Sequence, residues 1–163
     1  MKQVKYDLVL IGATGFTGKL VAEYLAKEYG VKNENFVWAI AGRNQNKLNH
    51  LKNHLKDIDP QAQDLPILLA DNHDINSLDS ITSVTRVIIS TVGPYLKYGK
   101  NLVESCASNG TDYCDLTGEV PFIRESIDSF NTIAQDNNCR IIHSCGFDSI
   151  PSDVGVLMLQ KEA

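Results

Sequence analysis

The run Gly12-Ala13-Thr14-Gly15-Phe16-Thr17-Gly18 places three glycines at intervals of three, between an apolar run (Asp7–Ile11) and a segment with helical spacing. Each glycine has its own use in such a place. Gly12 permits a tight turn from strand into helix. Gly15 carries no side chain to hold a phosphate away from the backbone, and Gly18 lets helix and strand pack closely. The N–H groups and the positive end of the helix then attract an anion. Thr14 and Thr17 could add hydroxyl donors, or serve only to start the helix. The spacing is GxxGxxG rather than GxGxxG, so the weight of the motif comes from its strand–turn–helix context. In that context the chemistry is the binding of a dinucleotide pyrophosphate.

A second group of residues qualifies the nucleotide. Gly42-Arg43-Asn44 ends the second apolar run, at the position that reads the adenosine ribose. An acid there accepts from the ribose hydroxyls of NAD, whereas an Arg accommodates the 2′-phosphate of NADP. No acid occurs from Phe36 to Leu48, and Lys47 stands one helical turn beyond Arg43. A hydrogen bond to a charged group contributes about 1.5–3 kcal/mol, so Arg43 alone could prefer NADP by roughly 10- to 150-fold. The alternative is an Arg that stacks on the adenine whatever the ribose carries. Asp71 ends the third run, where it could reach the adenine amino group or simply form an Asx turn. The fourth run ends in Ser90-Thr91 and leads into Val92-Gly93-Pro94-Tyr95. It should lie beside the first strand at the topological switch point. Ser90, Thr91 and the backbone from Val92 to Tyr95 are expected near the nicotinamide-side ribose. An ordinary strand-to-helix turn is the alternative there.

These residues need a scaffold, and the rest of the chain supplies one. Apolar or β-branched runs recur at Asp7–Ile11, Phe36–Ala41, Pro66–Ala70, Arg86–Thr91, Thr111–Asp115 and Arg140–Ser144. Most are continuously apolar, as suits strands buried on both faces. Between them, helical spacing puts Phe16, Leu20, Val21, Tyr24 and Leu25 on one face. The same spacing groups Leu102, Val103, Cys106 and Ala107, and then Phe122, Ile123, Ile127, Phe130 and Ile133. The expectation is an α/β fold: a Rossmann-type doubly wound parallel sheet of about six strands, in order 3-2-1-4-5-6 with right-handed crossovers. Residues 1–150 form this domain. Residues 151–163 read as a helix, a stub leading to a second, substrate-binding domain. The apolar stretch Val154–Leu159 should leave an exposed patch, facing absent structure or a second copy in a homodimer.

Composition narrows the class. The chain has 163 residues, 43% hydrophobic and 21% charged, with a net charge of −5. A chain of this size exposes roughly 8,000 Å² when compactly folded. A basic field for nucleic acid is absent. No apolar run approaches the ~20 residues of a membrane span, and the N-terminus lacks the features of a signal peptide, so the expected location is the cytoplasm. Cys106, Cys114, Cys139 and Cys145 form no CxxC pair and show no zinc-ligand spacing. They read as thiols buried beside strands, with no metal. The catalytic residues are not identified by pattern. Asp115, Thr117, Glu119, His143, Cys145 and Asp148 lie near strand ends, and each has a structural role as an alternative. Neither Tyr95 nor Tyr98 has a Lys four residues on, which argues against short-chain reductase chemistry.

Five blocks in order, GATGFTG, AGRN, STVGPY with a following YG, GTDYCDLTGE and SCGFDSIPSD, resemble the saccharopine dehydrogenase-like oxidoreductases, whose close relatives include trans-acting enoyl reductases. The resemblance runs from about Asp7 to Gly155. It implies the N-terminal NADP(H)-binding domain of a longer oxidoreductase that moves a hydride to or from a C=O, C=N or C=C bond. A second α/β domain would supply much of the small-molecule substrate site, and the present chain alone would show little turnover. The glycine loop departs from the GxGxxG of lysine-pathway saccharopine dehydrogenases, so saccharopine is not the expected substrate. A non-enzymatic NADP(H)-sensing module is the alternative. A flavin or S-adenosylmethionine binder is disfavoured by Arg43.

Overall fold

The computed structural model describes residues 3–163. Six strands alternate with helices: β1 (Tyr6–Ile11), α1 (Phe16–Tyr29), β2 (Trp38–Gly42), α2 (Gln45–Leu55), β3 (Ile67–Leu69), α3 (Ile75–Thr82), β4 (Thr85–Ser90), α4 (Tyr95–Tyr98), α5 (Lys100–Ser108), β5 (Asp112–Asp115), α6 (Val120–Asp136), β6 (Ile141–Ile142) and α7 (Ile150–Glu162). A short 3-10 turn, Pro60–Asp64, precedes β3. Every strand pair is parallel, and the order is β3-β2-β1-β4-β5-β6. The chain therefore reverses direction between β1 and β4, which opens a crevice at their carboxyl ends.

Two side-chain rows cross this sheet on opposite faces. Register aligns Ala39, Val9, Ile88 and Tyr113 across β2, β1, β4 and β5. All four are at most 1% exposed, and they share one core cluster with residues of α3, α5 and α6. The other row is Ile40, Leu10, Ile89, Cys114 and Ile142. Ile40 and Leu10 are fully buried with residues of α1 and α2. Ile89 and Cys114 are half-buried, and Ile142 is 50% exposed. Half of that face, over β4, β5 and β6, is thus poorly covered.

The helices differ from the sequence expectation in which side they bury. α1 buries Gly18, Ala22, Leu25 and Ala26, while Phe16, Leu20 and Tyr24 are exposed. Small residues let the helix axis approach the sheet closely, and the bulky residues face outward. α6 buries Phe122, Ser126, Phe130 and Ala134, and Ile127 and Ile133 are exposed. α5 buries Leu102, Val103, Cys106 and Ala107 as its spacing suggests. α7 buries no residue at all, and Val154, Val156, Leu157, Met158 and Leu159 are all exposed. The accessible surface is 9534 Å², roughly 1,500 Å² more than a compact chain of this size exposes. The cysteines depart from a uniform set of buried thiols beside strands. Cys106 is buried within α5, Cys114 and Cys139 are half-buried, and Cys145 is exposed on the loop after β6. Among the described residues no helix is long and apolar enough to cross a membrane, and no three His, Cys, Asp or Glu side chains are grouped as metal ligands.

Candidate functional site

The glycine turn is built by steric necessity. Gly12 has φ +85°, and a Cβ there would meet Val92 Cγ2 at 2.7 Å and Thr91 Oγ1 at 2.8 Å. A Cβ on Gly18 would lie 2.2 Å from the Gly12 carbonyl oxygen. The two residues bring α1, the turn and the end of β4 into direct contact. The Thr91 hydroxyl lies within hydrogen-bond distance of the carbonyls of both Ile11 (3.2 Å) and Gly12 (3.1 Å). It ties the ends of β1 and β4 together across the switch point. Gly15 donates to the Gly12 carbonyl at 3.0 Å and caps α1. No side chain caps this helix, and its first turn holds no acid. The positive end of α1 faces the crevice without a counter-charge from its own sequence.

A groove of about 470 Å³ runs along the carboxyl edge of the sheet. Of the sequence candidates, Gly12, Thr14, Gly15, Arg43, Asp71, Thr91, Val92, Gly93 and Pro94 line it. The others do not. Ala13 is buried beneath the turn, and Phe16 and Thr17 are exposed on α1. Gly18 is consumed in packing against Gly12. Asn44 caps α2, its side chain accepting from the Lys47 N–H at 3.0 Å, and Lys47 itself is exposed. Ser90 is fully buried, and its hydroxyl has no hydrogen-bond partner among the described residues. Tyr95 turns inward and donates from its phenol to the Ser90 carbonyl at 3.0 Å. Burial pushes that phenol up to about 12.

Arg43 stands apart from the other arginines. Arg86, Arg124 and Arg140 each pair with an aspartate. Among the described residues no acid pairs with Arg43, the remaining one of the chain's four arginines. Its guanidinium is exposed at the groove and uncommitted. Asp71 accepts from the His73 N–H at 3.0 Å, the Asx turn foreseen as one of its two readings. Asn72, His73 and Tyr98 also line the groove; sequence reasoning passed over Asn72 and His73 and weighed Tyr98 only for short-chain reductase chemistry. The Asn72 amide donates to the Tyr98 carbonyl at 2.8 Å, and the His73 and Tyr98 rings meet edge-on at 5.4 Å. The carboxyl-end rule that singled out Asp71 extends to its two polar neighbours. Tyr98 gave no such signal, because its place depends on α4 being a single turn.

The remaining candidates gather at the ends of β5 and β6, where Asp115 is a hub. It is 2% exposed. Its Oδ2 accepts from the Tyr113 hydroxyl (2.9 Å) and is bonded to His143 Nδ1 (2.8 Å). Its Oδ1 accepts from the N–H groups of Thr117 (3.1 Å) and Ser144 (3.2 Å). A carboxylate only accepts, so His143 carries its proton on Nδ1. Burial, with Asp115 beside it, pushes the Tyr113 phenol well up. His143 Nε2 lies 2.9 Å from Ser126 Oγ. The order Ser126–His143–Asp115 is that of a hydrolase triad, but Ser126 sits inside α6 and is buried. The N–H groups around it belong to the helix ladder, so no donors remain to stabilise an oxyanion. The cluster is a fastening between β5, β6 and α6. Glu119 caps the adjoining helix α4, and Asp148 packs in the turn after β6, within 2.7 Å of where a Gly146 Cβ would lie.

A bare positive helix end at the switch point, a glycine turn under it and an uncommitted arginine at the end of β2 fit a dinucleotide carrying an extra phosphate. Fold and groove together define a Rossmann dinucleotide-binding domain. The chain belongs to the saccharopine dehydrogenase NADP-binding domain family, whose family model matches residues 8–142. Its dinucleotide is accordingly NADP. The chain is 45% identical over 159 residues to a trans-acting enoyl reductase of Mycobacterium bovis (strain BCG / Pasteur 1173P2), a match covering 98% of this chain and 36% of that protein. It is 44% identical over 157 residues to the trans-acting enoyl reductase of Mycobacterium leprae (strain TN), covering 96% of this chain and 36% of that one. The chain thus spans little more than a third of the length of these relatives. Among solved structures, saccharopine dehydrogenase (L-Glu forming) from Saccharomyces cerevisiae aligns over 87% of this chain and 27% of its own, with TM-score 0.65 and 21% identity. The Citrobacter sp. triphenylmethane reductase complexed with NADP(H) aligns over 83% and 48%, with TM-score 0.56 and 15% identity. At these identities the two structures share the fold.

Proposed function

We propose that this chain is the NADP(H)-binding part of a longer oxidoreductase that reduces a carbon–carbon double bond conjugated to a carbonyl. Bound NADPH supplies the hydride; the chain binds and orients it. In this reading the α1 N-terminus with Gly12, Thr14 and Gly15 holds the pyrophosphate. Arg43 takes the 2′-phosphate, and Val92, Gly93 and Pro94 border the nicotinamide riboside. The observation that carries the reading is Arg43, cationic, exposed at the groove and unpaired among the described residues. The enoyl class is supported by the names of the relatives at 44–45% identity.

A second domain belongs to the proposal as well. The relatives are nearly three times as long as this chain, and the surface left bare over β4–β6 and along α7 is of the kind a further domain covers. Without that domain, the apolar row of α7 provides a contact for a second copy. The test of the nucleotide reading is calorimetric titration of the 163-residue chain with NADP⁺ and NAD⁺. The wild type should prefer NADP⁺ by about 10- to 150-fold, and Arg43→Ala should lose that preference with stability unchanged. Equal affinity for both nucleotides in the wild type would sink the role given to Arg43. For the activity, the longer protein should oxidise NADPH only in the presence of an α,β-unsaturated thioester or ketone.

A further inference from the structure

Gly93 and Pro94 form the wall of the groove beyond the glycine turn, and they run straight into α4. That helix has one turn and no side-chain cap from its own end. Its first residues with N–H groups are Tyr95 and Leu96. Both are held by one carboxylate from another crossover: Tyr95 N–H donates to Glu119 Oε1 at 2.7 Å, and Leu96 N–H donates to Glu119 Oε2 at 2.9 Å. Glu119 is itself fixed at both ends of its backbone. Its N–H donates to Thr117 Oγ1 at 3.1 Å, and its carbonyl accepts from Ile123 at 3.1 Å in the first turn of α6. Thr117 is 1% exposed and in turn bonded to Asp115 and to the Ser144 hydroxyl. The groove wall is therefore suspended from the β5–α6 loop through two charge-assisted hydrogen bonds. Glu119 does not line the groove.

We infer that Glu119 is a positioning residue for the nicotinamide half of the nucleotide, acting through the Tyr95 and Leu96 backbone on the Gly93–Pro94 wall. The inference rests on the dinucleotide reading given above. The adenosine half lies at the other end of the groove, against Arg43, and the pyrophosphate lies at α1. Loosening the Gly93–Pro94 wall should then weaken only the part of the ligand beyond the adenosine-side phosphate.

The experiment compares NADP⁺ with 2′,5′-ADP, which carries the extra phosphate but lacks the nicotinamide riboside and the phosphate that bears it. Both are titrated into the 163-residue chain, wild type and Glu119→Gln, with thermal unfolding as a control. The glutamine keeps the shape but sets an NH₂ against one of the two N–H donors. For Glu119→Gln the NADP⁺ dissociation constant should rise about tenfold, while that of 2′,5′-ADP stays within a factor of about two. Glu119→Asp keeps both oxygens but is one methylene short, and should give a smaller rise, again for NADP⁺ alone. It serves as the measured variant if Glu119→Gln does not fold. Equal losses for the two ligands would reduce Glu119 to a general structural role, and no loss for either would remove it from the site; each overturns the inference. A wild-type chain that binds neither ligand overturns the dinucleotide reading, and the inference with it.

Discussion

The row Ala39–Val9–Ile88–Tyr113 and the row Ile40–Leu10–Ile89–Cys114–Ile142 cross the same sheet one residue apart, on opposite faces. The first stays buried from β2 through β5 under α3, α5 and α6. The second is sealed only as far as α1 and α2 reach, and its exposure grows from Leu10 to Ile142. Both rows are apolar apart from the Tyr113 hydroxyl and the Cys114 thiol, so composition does not account for the contrast. It follows from connectivity: the crossovers β3–β4, β4–β5 and β5–β6 all place their helices on one side. The other side of β4–β6 has no crossover left to cover it. An apolar half-face of this kind is a candidate contact surface, and the second domain proposed above would cover it.

The strongest way to break this comparison is to truncate matched residues on the two faces. Ile88→Ala should cost about 2–5 kcal/mol, because the cavity is enclosed on every side. Ile142→Ala should cost about 1 kcal/mol or less, since half of that side chain is already in water. Urea unfolding measures both, and equal losses would mean that the second face is covered after all. Alkaline pH probes the covered face next. It holds Tyr95, whose phenol burial pushes up to about 12, and Tyr113, pushed well up for the same reason. An unfolded chain ionises its tyrosines near pH 10. Stability should therefore be intact below pH 10 and fall as the pH rises towards 12, by about 1.4 kcal/mol per pH unit from Tyr95, with Tyr113 acting in the same direction. A denaturant midpoint that stays flat across this range would contradict it. The smallest effect belongs to the bare surface. Leu159→Lys on α7 should change stability by no more than about 0.5 kcal/mol and should lower self-association in sedimentation.

Much of this organisation was legible in the sequence, and the exceptions are instructive. The continuous apolar runs revealed buried parallel strands. Gly12, Gly15 and Gly18 located the turn, and at Gly12 and Gly18 sterics forbid a side chain. The buried side of α1 was misread because large apolar residues were given more weight than small ones. Against a sheet, Gly18, Ala22 and Ala26 win by letting the helix approach. Within the site, backbone-determined positions were legible, and side-chain direction was not. Ser90 and Tyr95 lie where the strand-end rule points, yet both face the interior. Glu119, a candidate for its place near a strand end, stands at the start of α6, and its carboxylate serves α4, a partnership that only tertiary packing creates.

The Thr91 hydroxyl has a mechanical consequence. One side chain sits within reach of two successive carbonyls of the opposing strand end, at the point where the sheet would otherwise splay. Together with the Thr91 N–H bond to the Ile11 carbonyl at 3.0 Å, it holds the two sides of the crevice together at the switch point. A dinucleotide entering this crevice meets a cradle that is already set, and little ordering is required of the protein as it seats.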